Sequence, residues 1–435
     1  MKALIMAGGK GTRLVEITKN LLPKPMVELD GKPLLLHAID SLKRNGVDEV
    51  FISVGFLHQT IIDYFGNGEK FGIKINYIVE DEPLGSGGAL YYLKDKIDDD
   101  FIVCMGDALF DIDVSKMLDF HRKNNALATL LVHPNCHPYD SDLVIVDENN
   151  KIIKIDKKGA ERNYFYKNNV NAGFFIINPA ALYYFDQPKV VSMENDFIKK
   201  LIEDGKNVVA YKSSEYIKDV GTPERYFAGL NDLKSGIVQK KCLRNKQKAI
   251  FFDRDGTLNE YRGFVRTPED LVLVNDAVEA LKLVNMSQYL AIVISNQPVV
   301  ARGECSFAEV ENIFNKLETE LGHKGVYIDG RYYCPHHPHK GYAGEVESLK
   351  IECNCRKPKI GLIEQAVKDF NLDINECIMV GDSNADIQTA LNANIPSVRV
   401  PSKLEEKDKI KATYDAKNLT DAVKYVLKIG GKYEK

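Results

Sequence analysis

The sequence lacks the features that membrane, secreted and nucleic-acid-binding proteins need. Lysine and arginine total 58 against 62 acidic residues, a net charge of -4, so there is no basic field for a nucleic-acid polymer or an anionic membrane. No apolar run approaches the roughly 18 residues of a membrane-spanning helix, and only the short run ALIMA precedes the first glycines, too little for a signal peptide. We therefore expect a soluble, cytoplasmic protein that binds neither nucleic-acid polymers nor membranes.

Cysteine is also sparse. Eight cysteines among 435 residues are too few for a disulfide scaffold. Three of them, Cys334, Cys353 and Cys355, nevertheless lie in one short stretch, which indicates a metal site. The chain is longer than one hydrophobic core usually supports, so we expect two domains.

Apolar runs alternate with amphipathic stretches along the chain, as in ALIMA at 3–7, LLLHAIDSLKRNG at 34–46 and EVFISVG at 49–55. This strand, helix, strand rhythm is typical of a parallel α/β sheet. A polar segment rich in lysine and arginine interrupts it, and the rhythm restarts with AIFFDRDG at 249–256. The sequence thus predicts an α/β fold with a Rossmann-like, doubly wound sheet in each half.

The interruption sets the expected boundaries. We predict a first domain over residues 1–231, a linker over 232–247 and a second domain over 248–435. Ligands of open parallel sheets bind at the carboxyl ends of the strands, so the residues directly after each apolar run are the candidates for a site.

A glycine-rich loop, GGKGTRL, follows the first apolar run. Gly8, Gly9 and Gly11 would let backbone N–H groups approach a phosphate, and Arg13 adds positive charge. The spacing fits neither the Walker loop nor the dinucleotide-binding fingerprint. By itself the loop is also compatible with a tight strand-to-helix turn.

The residues after this loop narrow the choice, because PKPM at 23–26 and GKP at 31–33 follow it. With them, the first 230 residues or so resemble the sugar-1-phosphate nucleotidyltransferases. Four further motifs match that family in order along the chain: PLGSGG at 83–88 for the nucleotide base, GD at 106–107 for a metal, VNAG at 170–173 for the sugar, and DVGTP at 219–223 with the second metal carboxylate. The segment between Leu14 and Pro23 is one residue longer than the family pattern.

The resemblance implies transfer of a nucleotidyl group from a nucleoside triphosphate to a sugar 1-phosphate, with release of pyrophosphate. Asp107 and Asp219 would hold Mg²⁺, Arg13 would bind the leaving pyrophosphate, and Lys24 would bind the α-phosphate or the sugar phosphate. The other substrate-binding residues that it implies are Gly8, Gly9, Gly11, Thr12, Gly85, Gly88, Asn171 and Gly173.

A second motif, FFDRDGTL, ends the apolar run that opens the second half. Asp253 and Asp255 follow a buried strand, where two carboxylates require a cation or a substrate unless they lie in a solvated turn. The motif, together with Ser295, Lys357 and Asp382 after later apolar runs, resembles the haloacid-dehalogenase-like (HAD-like) phosphatases.

That resemblance implies covalent catalysis. Asp253 would attack the phosphoryl group, and Asp255 would protonate the leaving oxygen and later deprotonate the attacking water. Ser295 and Lys357 would bind the phosphoryl oxygens, and Asn296 would contact the substrate.

The same resemblance implies a second Mg²⁺ site. Its ligands would be the carboxylates of Asp253 and Asp382 and the main-chain carbonyl of Asp255. Asp386 is expected to organise the loop rather than to bind the metal directly.

The cysteine-rich stretch pairs CPH at 334–336 with CNC at 353–355. Three thiolates and one imidazole form a closed, structural Zn²⁺ set, and free cysteines are the alternative. His336 is chosen over its neighbouring histidines because the stretch resembles the zinc loop of heptose-bisphosphate and histidinol-phosphate phosphatases, which covers the active site. Arg356, beside Cys355, would then touch the substrate.

Together the resemblances imply a bifunctional enzyme. It would remove the 7-phosphate of D-glycero-D-manno-heptose 1,7-bisphosphate and join heptose 1-phosphate to a nucleotide, with GTP as the expected donor. One alternative is a histidinol-phosphate phosphatase fused to a hexose-1-phosphate transferase, and another is a regulatory N-terminal domain without catalysis. The expected partners are small molecules: a nucleoside triphosphate, a sugar 1-phosphate and a sugar bisphosphate. The sequence is also compatible with a homo-oligomer.

Overall fold

The computed structural model describes residues 1–9, 12–184, 187–404, 406 and 408–430. Its contacts divide the chain into two compact units. Unit 1 comprises Met1–His133, Asp142–Lys157 and Asn169–Arg244, and unit 2 comprises Pro134–Ser141, Lys158–Asn168 and Asn245–Lys435. In the described part of the chain, no helix is long and apolar enough to cross a bilayer.

The described residues of unit 1 form thirteen strands and seven α-helices. The strands are β1 (Lys2–Met6), β2 (Glu28–Leu29), β3 (Lys32–Pro33), β4 (Glu49–Val54), β5 (Lys74–Val79), β6 (Phe101–Met105), β7 (Ala108–Asp111), β8 (Ala128–His133), β9 (Leu143–Val146), β10 (Ile152–Asp156), β11 (Val170–Ile177), β12 (Val208–Lys212) and β13 (Tyr216–Asp219). The α-helices are α1 (Val15–Thr18), α2 (Leu34–Arg44), α3 (His58–Phe65), α4 (Val114–Lys123), α5 (Lys199–Glu203), α6 (Pro223–Lys234) and α7 (Ile237–Lys240).

Nine of these strands form one mixed sheet. Its order is β10-β9-β11-β6-β1-β4-β5, with β8 beside β11 and β12 beside β8. Strands β6, β1, β4 and β5 are parallel, whereas β11 is antiparallel to β6, β8 and β9. The α/β class is confirmed, and the parallel pairing typical of a strand, helix, strand rhythm is present where α2 and α3 separate β1, β4 and β5.

Most of the segment predicted as a linker, residues 232–244, belongs to unit 1. Helix α6 extends to Lys234, α7 follows it, and the contacts of the chain as far as Arg244 belong to unit 1. Val238 and Leu243 are buried, and the Leu243 amide donates to Glu215 Oε1 at 2.8 Å. A few apolar residues in this lysine-rich segment are enough to pack one helical turn against the unit. The overall polarity of the segment gave no sign of this packing.

Within the part of unit 2 that the structure describes, there are six strands and five α-helices. The strands are β14 (Lys248–Phe252), β15 (Tyr289–Asn296), β16 (Gly330–Cys334), β17 (Ile378–Gly381), β18 (Ser397–Arg399) and β19 (Tyr414–Asp415). The helices are α8 (Ala277–Asn285), α9 (Phe307–His323), α10 (Gly361–Asp369), α11 (Asn384–Asn392) and α12 (Leu419–Gly430).

The sheet of unit 2 is parallel throughout, in the order β16-β15-β14-β17-β18-β19. Core clusters lie on both of its faces, since alternate residues of β14 belong to different clusters. This is why the strands appear in the sequence as continuous apolar runs. Asp253, Ser295 and Asp382 follow or end the adjacent strands β14, β15 and β17, so the sheet itself brings these polar residues to one edge.

Two segments from the first half of the sequence belong to unit 2. The Tyr166 amide donates to Thr319 Oγ1 at 2.9 Å, and the Asn168 amide donates to Glu318 Oε2 at 2.6 Å. Thr319 and Glu318 lie on α9, and both are buried. The two units are therefore interleaved in sequence, which differs from the contiguous domains that the sequence predicts.

Candidate functional sites

A cavity of about 400 Å³ opens in unit 1 beside the glycine-rich loop. Its lining includes the predicted residues Gly8, Gly9, Arg13, Lys24, Gly85 and Asp107. Ser86 of the PLGSGG motif also lines it, as does Glu80, which the sequence analysis did not single out. Gly11 and the side chain of Thr12 lie outside the described residues.

Lys24 joins the two carboxylates predicted to hold a metal. Its Nζ lies 2.5 Å from Asp107 Oδ2 and 3.0 Å from Asp219 Oδ1, although Lys24 is only 5% exposed. Arg225 Nη1 lies 2.6 Å from Asp219 Oδ2. Burial opposes the ionisation of Asp219, but Lys24 and Arg225 outweigh it and lower the pKa of this carboxyl. Converging carboxylate oxygens of this kind are suitable ligands for Mg²⁺.

The loop over 83–88 is packed in a way that requires glycine. Gly85 has a φ of +76°, and a Cβ there would lie 2.5 Å from the Val191 carbonyl oxygen. Gly88 lies at the start of a 3₁₀ helix, Gly88–Leu93. The Ser86 hydroxyl accepts the Met193 amide at 2.9 Å. These contacts hold the loop at the cavity wall.

The predicted sugar-binding residues lie on β11. The Asn171 side chain donates to Glu194 Oε1 at 3.1 Å and accepts the Gly173 amide at 3.2 Å. Burial raises the pKa of Glu194. Both polar ends of the Asn171 side chain are thus engaged within the protein, which fixes the backbone of this part of β11.

In unit 2, Lys357 occupies the centre of an acidic cluster. Its Nζ lies 2.5 Å from Asp253 Oδ1 and 2.6 Å from Asp386 Oδ1, and all three side chains are buried. Carboxylate oxygens of Asp253, Asp382 and Asp386 lie within 4.8 Å of one another and could hold a metal ion. The structure therefore places Asp386 in the cluster itself, while its Oδ2 also accepts the Ser383 hydroxyl at 2.6 Å.

Burial dominates the protonation of this cluster. It raises the pKa of Asp253, and the carboxylates of Asp386 and Asp382 add to the increase while Lys357 opposes it. Burial and Asp386 raise the pKa of Asp382 to about 6, although a hydrogen bond from Ser402 opposes this. Asp382 Oδ2 is buried without a hydrogen-bond partner among the described residues. A buried carboxylate oxygen without a donor is the kind of group that a cation would satisfy.

Asp255 is held by its neighbours. Arg254 donates to it twice, from Nε at 2.9 Å and from Nη2 at 2.8 Å. Gln297 Nε2 donates to Asp255 Oδ2 at 2.9 Å and to Ser295 Oγ at 2.9 Å. Arg254 is fully buried. The predicted acid-base residue and the predicted phosphate-binding Ser295 are therefore connected through one glutamine.

Asn296 and Arg356 make structural contacts. Asn296 donates to the Lys357 carbonyl at 3.1 Å and accepts the Lys357 amide at 3.0 Å. Arg356 Nη1 donates to the His336 carbonyl at 3.1 Å. Asn296 thus positions Lys357 rather than presenting both of its polar groups to a ligand.

The structure brings the four predicted zinc ligands together. The donor atoms of Cys334, His336, Cys353 and Cys355 lie within 4.8 Å of one another. The sulfur atoms are 3.2 to 3.5 Å apart, far beyond the 2.05 Å or so of a disulfide bond. His336 Nδ1 lies 3.3 Å from Cys355 Sγ. Three sulfurs and one nitrogen at these separations fit a tetrahedral zinc site.

Four residues at these sites were not predicted: Glu80, Arg225, Arg254 and Gln297. Arg254 lies within the DRDG motif, and Gln297 directly follows Ser295 and Asn296. Their positions beside recognised site residues could have identified both as candidates. Glu80 directly follows β5, and the rule of inspecting strand ends could have found it.

Comparisons with known proteins match a family model in each half of the chain. A nucleotidyl transferase family model matches residues 2–236, and a HAD-hydrolase-like model matches residues 354–425. The D-glycero-alpha-D-manno-heptose 1-phosphate guanylyltransferase of Aneurinibacillus thermoaerophilus is 33% identical over 238 residues, which cover 54% of this chain and 100% of the relative. The mannose-1-phosphate guanylyltransferase of Mycobacterium tuberculosis is 31% identical over 244 residues, covering 56% of this chain and 67% of the relative.

Among solved structures, a D,D-heptose 1,7-bisphosphate phosphatase from B. bronchiseptica, complexed with magnesium and phosphate, covers 42% of this chain and 99% of its own at 25% identity, with a TM-score of 0.37. The family model for the first half matches more than half of the chain. The chain therefore belongs to the nucleotidyl transferase family and carries a HAD-like hydrolase domain in its C-terminal half, so that it combines a transferase with a hydrolase.

Proposed function

We propose that this chain is a bifunctional enzyme of sugar-nucleotide synthesis. Its hydrolase removes the 7-phosphate of D-glycero-D-manno-heptose 1,7-bisphosphate through an aspartyl-phosphate. Its transferase joins the resulting heptose 1-phosphate to GMP from GTP and releases pyrophosphate. A phosphatase that produces a sugar 1-phosphate is a suitable fusion partner for a transferase that consumes one.

The transferase half of the proposal rests on the cavity of unit 1 and its relatives. Lys24, Asp107 and Asp219 provide one cation and two carboxylates joined by ion pairs, the charges that a triphosphate and its metal require. The two relatives described above are both named guanylyltransferases, for a heptose 1-phosphate and for mannose 1-phosphate. This supports a sugar 1-phosphate as acceptor and GTP as donor.

In the transfer, an oxygen of the sugar phosphate attacks the α-phosphorus of GTP, and the bond to pyrophosphate breaks. Such a reaction needs aligned anions and charge neutralisation rather than a protein nucleophile. Lys24 would bind the α-phosphate or the sugar phosphate, and Arg13 would bind the leaving pyrophosphate. Asp107 and Asp219 would hold Mg²⁺.

The phosphatase half rests on the buried cluster around Asp253. An oxygen of Asp253 attacks the phosphorus, and the bond to the sugar oxygen breaks as Asp255 protonates that oxygen. Asp255 then takes a proton from a water molecule, which attacks the same phosphorus and releases Asp253 and inorganic phosphate. Lys357 and Ser295 would neutralise and orient the phosphoryl oxygens.

Asp382 and Asp253, with the main-chain carbonyl of Asp255, would hold the Mg²⁺ of this domain. The unpartnered, buried Asp382 Oδ2 supports this assignment. In both domains, bound Mg²⁺ would neutralise phosphate charge so that two anionic reactants can approach.

The choice of heptose bisphosphate rests on the zinc loop. Cys334, His336, Cys353 and Cys355 close a loop whose last ligand is two residues from Lys357. Arg356 lies between them, where it could contact a substrate as well as the His336 carbonyl. We propose that this zinc-held loop sets the substrate of the phosphatase.

The experiment is a pair of substrate panels on the full chain. One compares phosphate release from heptose 1,7-bisphosphate and from histidinol phosphate. The other measures pyrophosphate release from the four common nucleoside triphosphates with heptose 1-phosphate, mannose 1-phosphate and glucose 1-phosphate. We expect heptose bisphosphate and the pair of GTP with heptose 1-phosphate to be preferred. Preference for histidinol phosphate, or no pyrophosphate from any pair, would overturn the corresponding half.

A further inference from the structure

Arg254 is a fully buried cation beside the proposed acid-base residue of unit 2. It lies between Asp253 and Asp255 in the DRDG motif, yet the proposed phosphatase steps give it no role. Its backbone is fixed, because its carbonyl accepts the amides of Leu258 at 3.0 Å and Asn259 at 3.1 Å. Burying a charge is costly unless the charge is paired, so the partners of this guanidinium group indicate what it does.

The guanidinium group of Arg254 binds both oxygens of the Asp255 carboxylate. Nε donates to Oδ1 at 2.9 Å, and Nη2 donates to Oδ2 at 2.8 Å. Nη2 also donates to Gln297 Oε1 at 3.0 Å, and Gln297 Nε2 donates to Asp255 Oδ2 at 2.9 Å. The three side chains therefore form a closed hydrogen-bonded triangle. A bidentate pair of this kind fixes the plane of a carboxylate as well as its position.

The ring of Phe314, on α9, packs against the same guanidinium group. Arg254 Cζ lies 4.7 Å from the centroid of this fully buried ring, and attraction between a cation and an aromatic face stabilises the arginine there. The Arg254 side chain has no exposed surface, whereas the Asp255 side chain is 20% exposed. A substrate can therefore reach the carboxylate but not the arginine, so any effect of Arg254 on the reaction acts through Asp255.

The two oxygens of Asp255 are not equivalent. Oδ2 accepts from both Arg254 and Gln297, which uses the roughly two lone pairs that a carboxylate oxygen offers. Within the described part of the chain, Oδ1 accepts from Arg254 alone. Oδ1 therefore keeps a lone pair for a proton, and Oδ2 does not.

We propose that Arg254 is a positioning residue that fixes Asp255 for proton transfer, with Oδ2 as the anchored oxygen and Oδ1 as the oxygen that carries the proton. This inference rests on the proposed phosphatase reaction. The proton passes from Oδ1 to the leaving oxygen as the bond between that oxygen and phosphorus breaks. In the second step a water proton returns to Oδ1, while the water oxygen bonds to phosphorus and the bond to Asp253 breaks.

The leaving group separates this role from a purely structural one. p-Nitrophenolate is stable as an anion and leaves without a proton, whereas the alkoxide of a sugar needs one. The ratio of the two kcat/KM values therefore reports proton donation, while damage to the fold lowers both values together. For Arg254→Met we expect kcat/KM for heptose 1,7-bisphosphate to fall by about 10²-fold, and that for p-nitrophenyl phosphate by about threefold or less.

The experiment measures both kcat/KM values for the full chain as wild type, Arg254→Met, Arg254→Lys and the control Arg331→Met. Arg331 is a second arginine beside Phe314, with its Cζ 5.3 Å from the ring centroid, but its ion-pair partners are Glu311 and Glu318 of α9. The control should keep the wild-type ratio. Arg254→Lys keeps the buried charge without the guanidinium fork, so its ratio should lie between those of wild type and Arg254→Met. A wild-type ratio in Arg254→Met, or in Arg254→Lys where Arg254→Met does not fold, would overturn the inference.

A double variant tests whether Arg254 acts through Asp255. Asp255→Asn removes the proton donor itself, so adding Arg254→Met to it should lower kcat/KM for heptose 1,7-bisphosphate by only about threefold or less. A further loss of about 10²-fold would contradict the positioning role.

The same measurements distinguish failure of this inference from failure of the proposed function. If wild type hydrolyses p-nitrophenyl phosphate but not heptose 1,7-bisphosphate, the proposed substrate is wrong. The ratio is then measured with histidinol phosphate, whose leaving group is also an alkoxide, and the same outcomes support or overturn the role of Arg254. A wild-type protein that hydrolyses none of the three would overturn both proposals.

Discussion

The ammonium group of Lys357 lies 2.5 Å from the carboxylate of Asp253, the residue proposed to attack phosphate. Asp386 contacts the same ammonium group at 2.6 Å. Burial alone lowers the pKa of Lys357, but Asp253 and Asp386 outweigh it and raise that pKa above its ordinary value. The lysine therefore stays charged inside the protein, where it can neutralise the nucleophile and a bound phosphoryl group.

Replacing Lys357 should impair the phosphatase selectively. Lys357→Met leaves Asp253 and Asp386 without their shared cation, so we expect kcat for phosphate release to fall by about 10²- to 10³-fold. The control is Lys359→Met, because Lys359 is exposed and pairs with the exposed Glu352. Phosphate release from a folded Lys357→Met protein within threefold of the control would contradict the role assigned to Lys357.

The two activities should be separable by single substitutions. Asp253→Asn removes the nucleophile and should abolish phosphate release while leaving pyrophosphate release intact. Asp107→Ala removes a proposed metal ligand and a partner of Lys24, and should do the reverse. Both activities are measured on each variant with separate substrates. Loss of both in either folded variant would show that the sites are not independent.

The zinc assignment predicts a stoichiometry and a stability effect. Freshly purified protein should contain about one zinc per chain by elemental analysis. Cys353→Ser should lose the metal and lower the melting temperature of unit 2 by at least about 5 °C, because metal binding stabilises only the folded loop. The matched control is Cys136→Ser, since Cys136 is an exposed free cysteine. Wild-type protein without zinc would contradict the four-ligand site.

His121 predicts a pH dependence in unit 1. Its Nδ1 lies 2.7 Å from the Thr129 hydroxyl and its Nε2 lies 3.4 Å from Asp100. Burial lowers the pKa of His121 below 6.5, although Asp100 opposes this. Below about pH 6.5 the unfolded chain therefore binds more protons than the folded one. The contribution of His121 to the stability of unit 1 should therefore be fully present above that pH and decline as the pH falls below it.

The measurement is the melting temperature of unit 1 at about pH 5 and about pH 7.5, values that bracket the ordinary histidine pKa. His121→Gln cannot titrate, so its melting temperature should change less between the two conditions than that of wild type. An equal change in both proteins would assign the pH dependence to other groups.

The sequence predicted the α/β class and both enzyme families because the relevant residues are local. DRDG and GGKGTRL each directly follow an apolar run in the sequence, so their chemistry can be predicted without knowing the fold. The interleaving of the units could not be predicted in this way. It depends on the contacts that Tyr166 and Asn168 make with α9, about 150 residues away, and neither residue belongs to a recognisable motif.

The details of the sites show the same distinction. The crowding of Cys334, Cys353 and Cys355 indicated a metal site, and the resemblance to a zinc loop selected His336; the structure brings these four donors together. The position of Asp386 could not be predicted, since a turn residue and a member of the acidic cluster look alike in sequence. Only the packing of Lys357 against it shows that Asp386 shares the lysine with Asp253.

The most direct test of the bifunctional proposal is one incubation of the full chain with D-glycero-D-manno-heptose 1,7-bisphosphate, GTP and Mg²⁺, followed by phosphorus NMR. We predict that inorganic phosphate, pyrophosphate and GDP-heptose accumulate in equal amounts. With Asp253→Asn, all three should be absent until heptose 1-phosphate is added, which should restore pyrophosphate and GDP-heptose. No phosphate and no GDP-heptose from the wild-type protein would contradict the proposal.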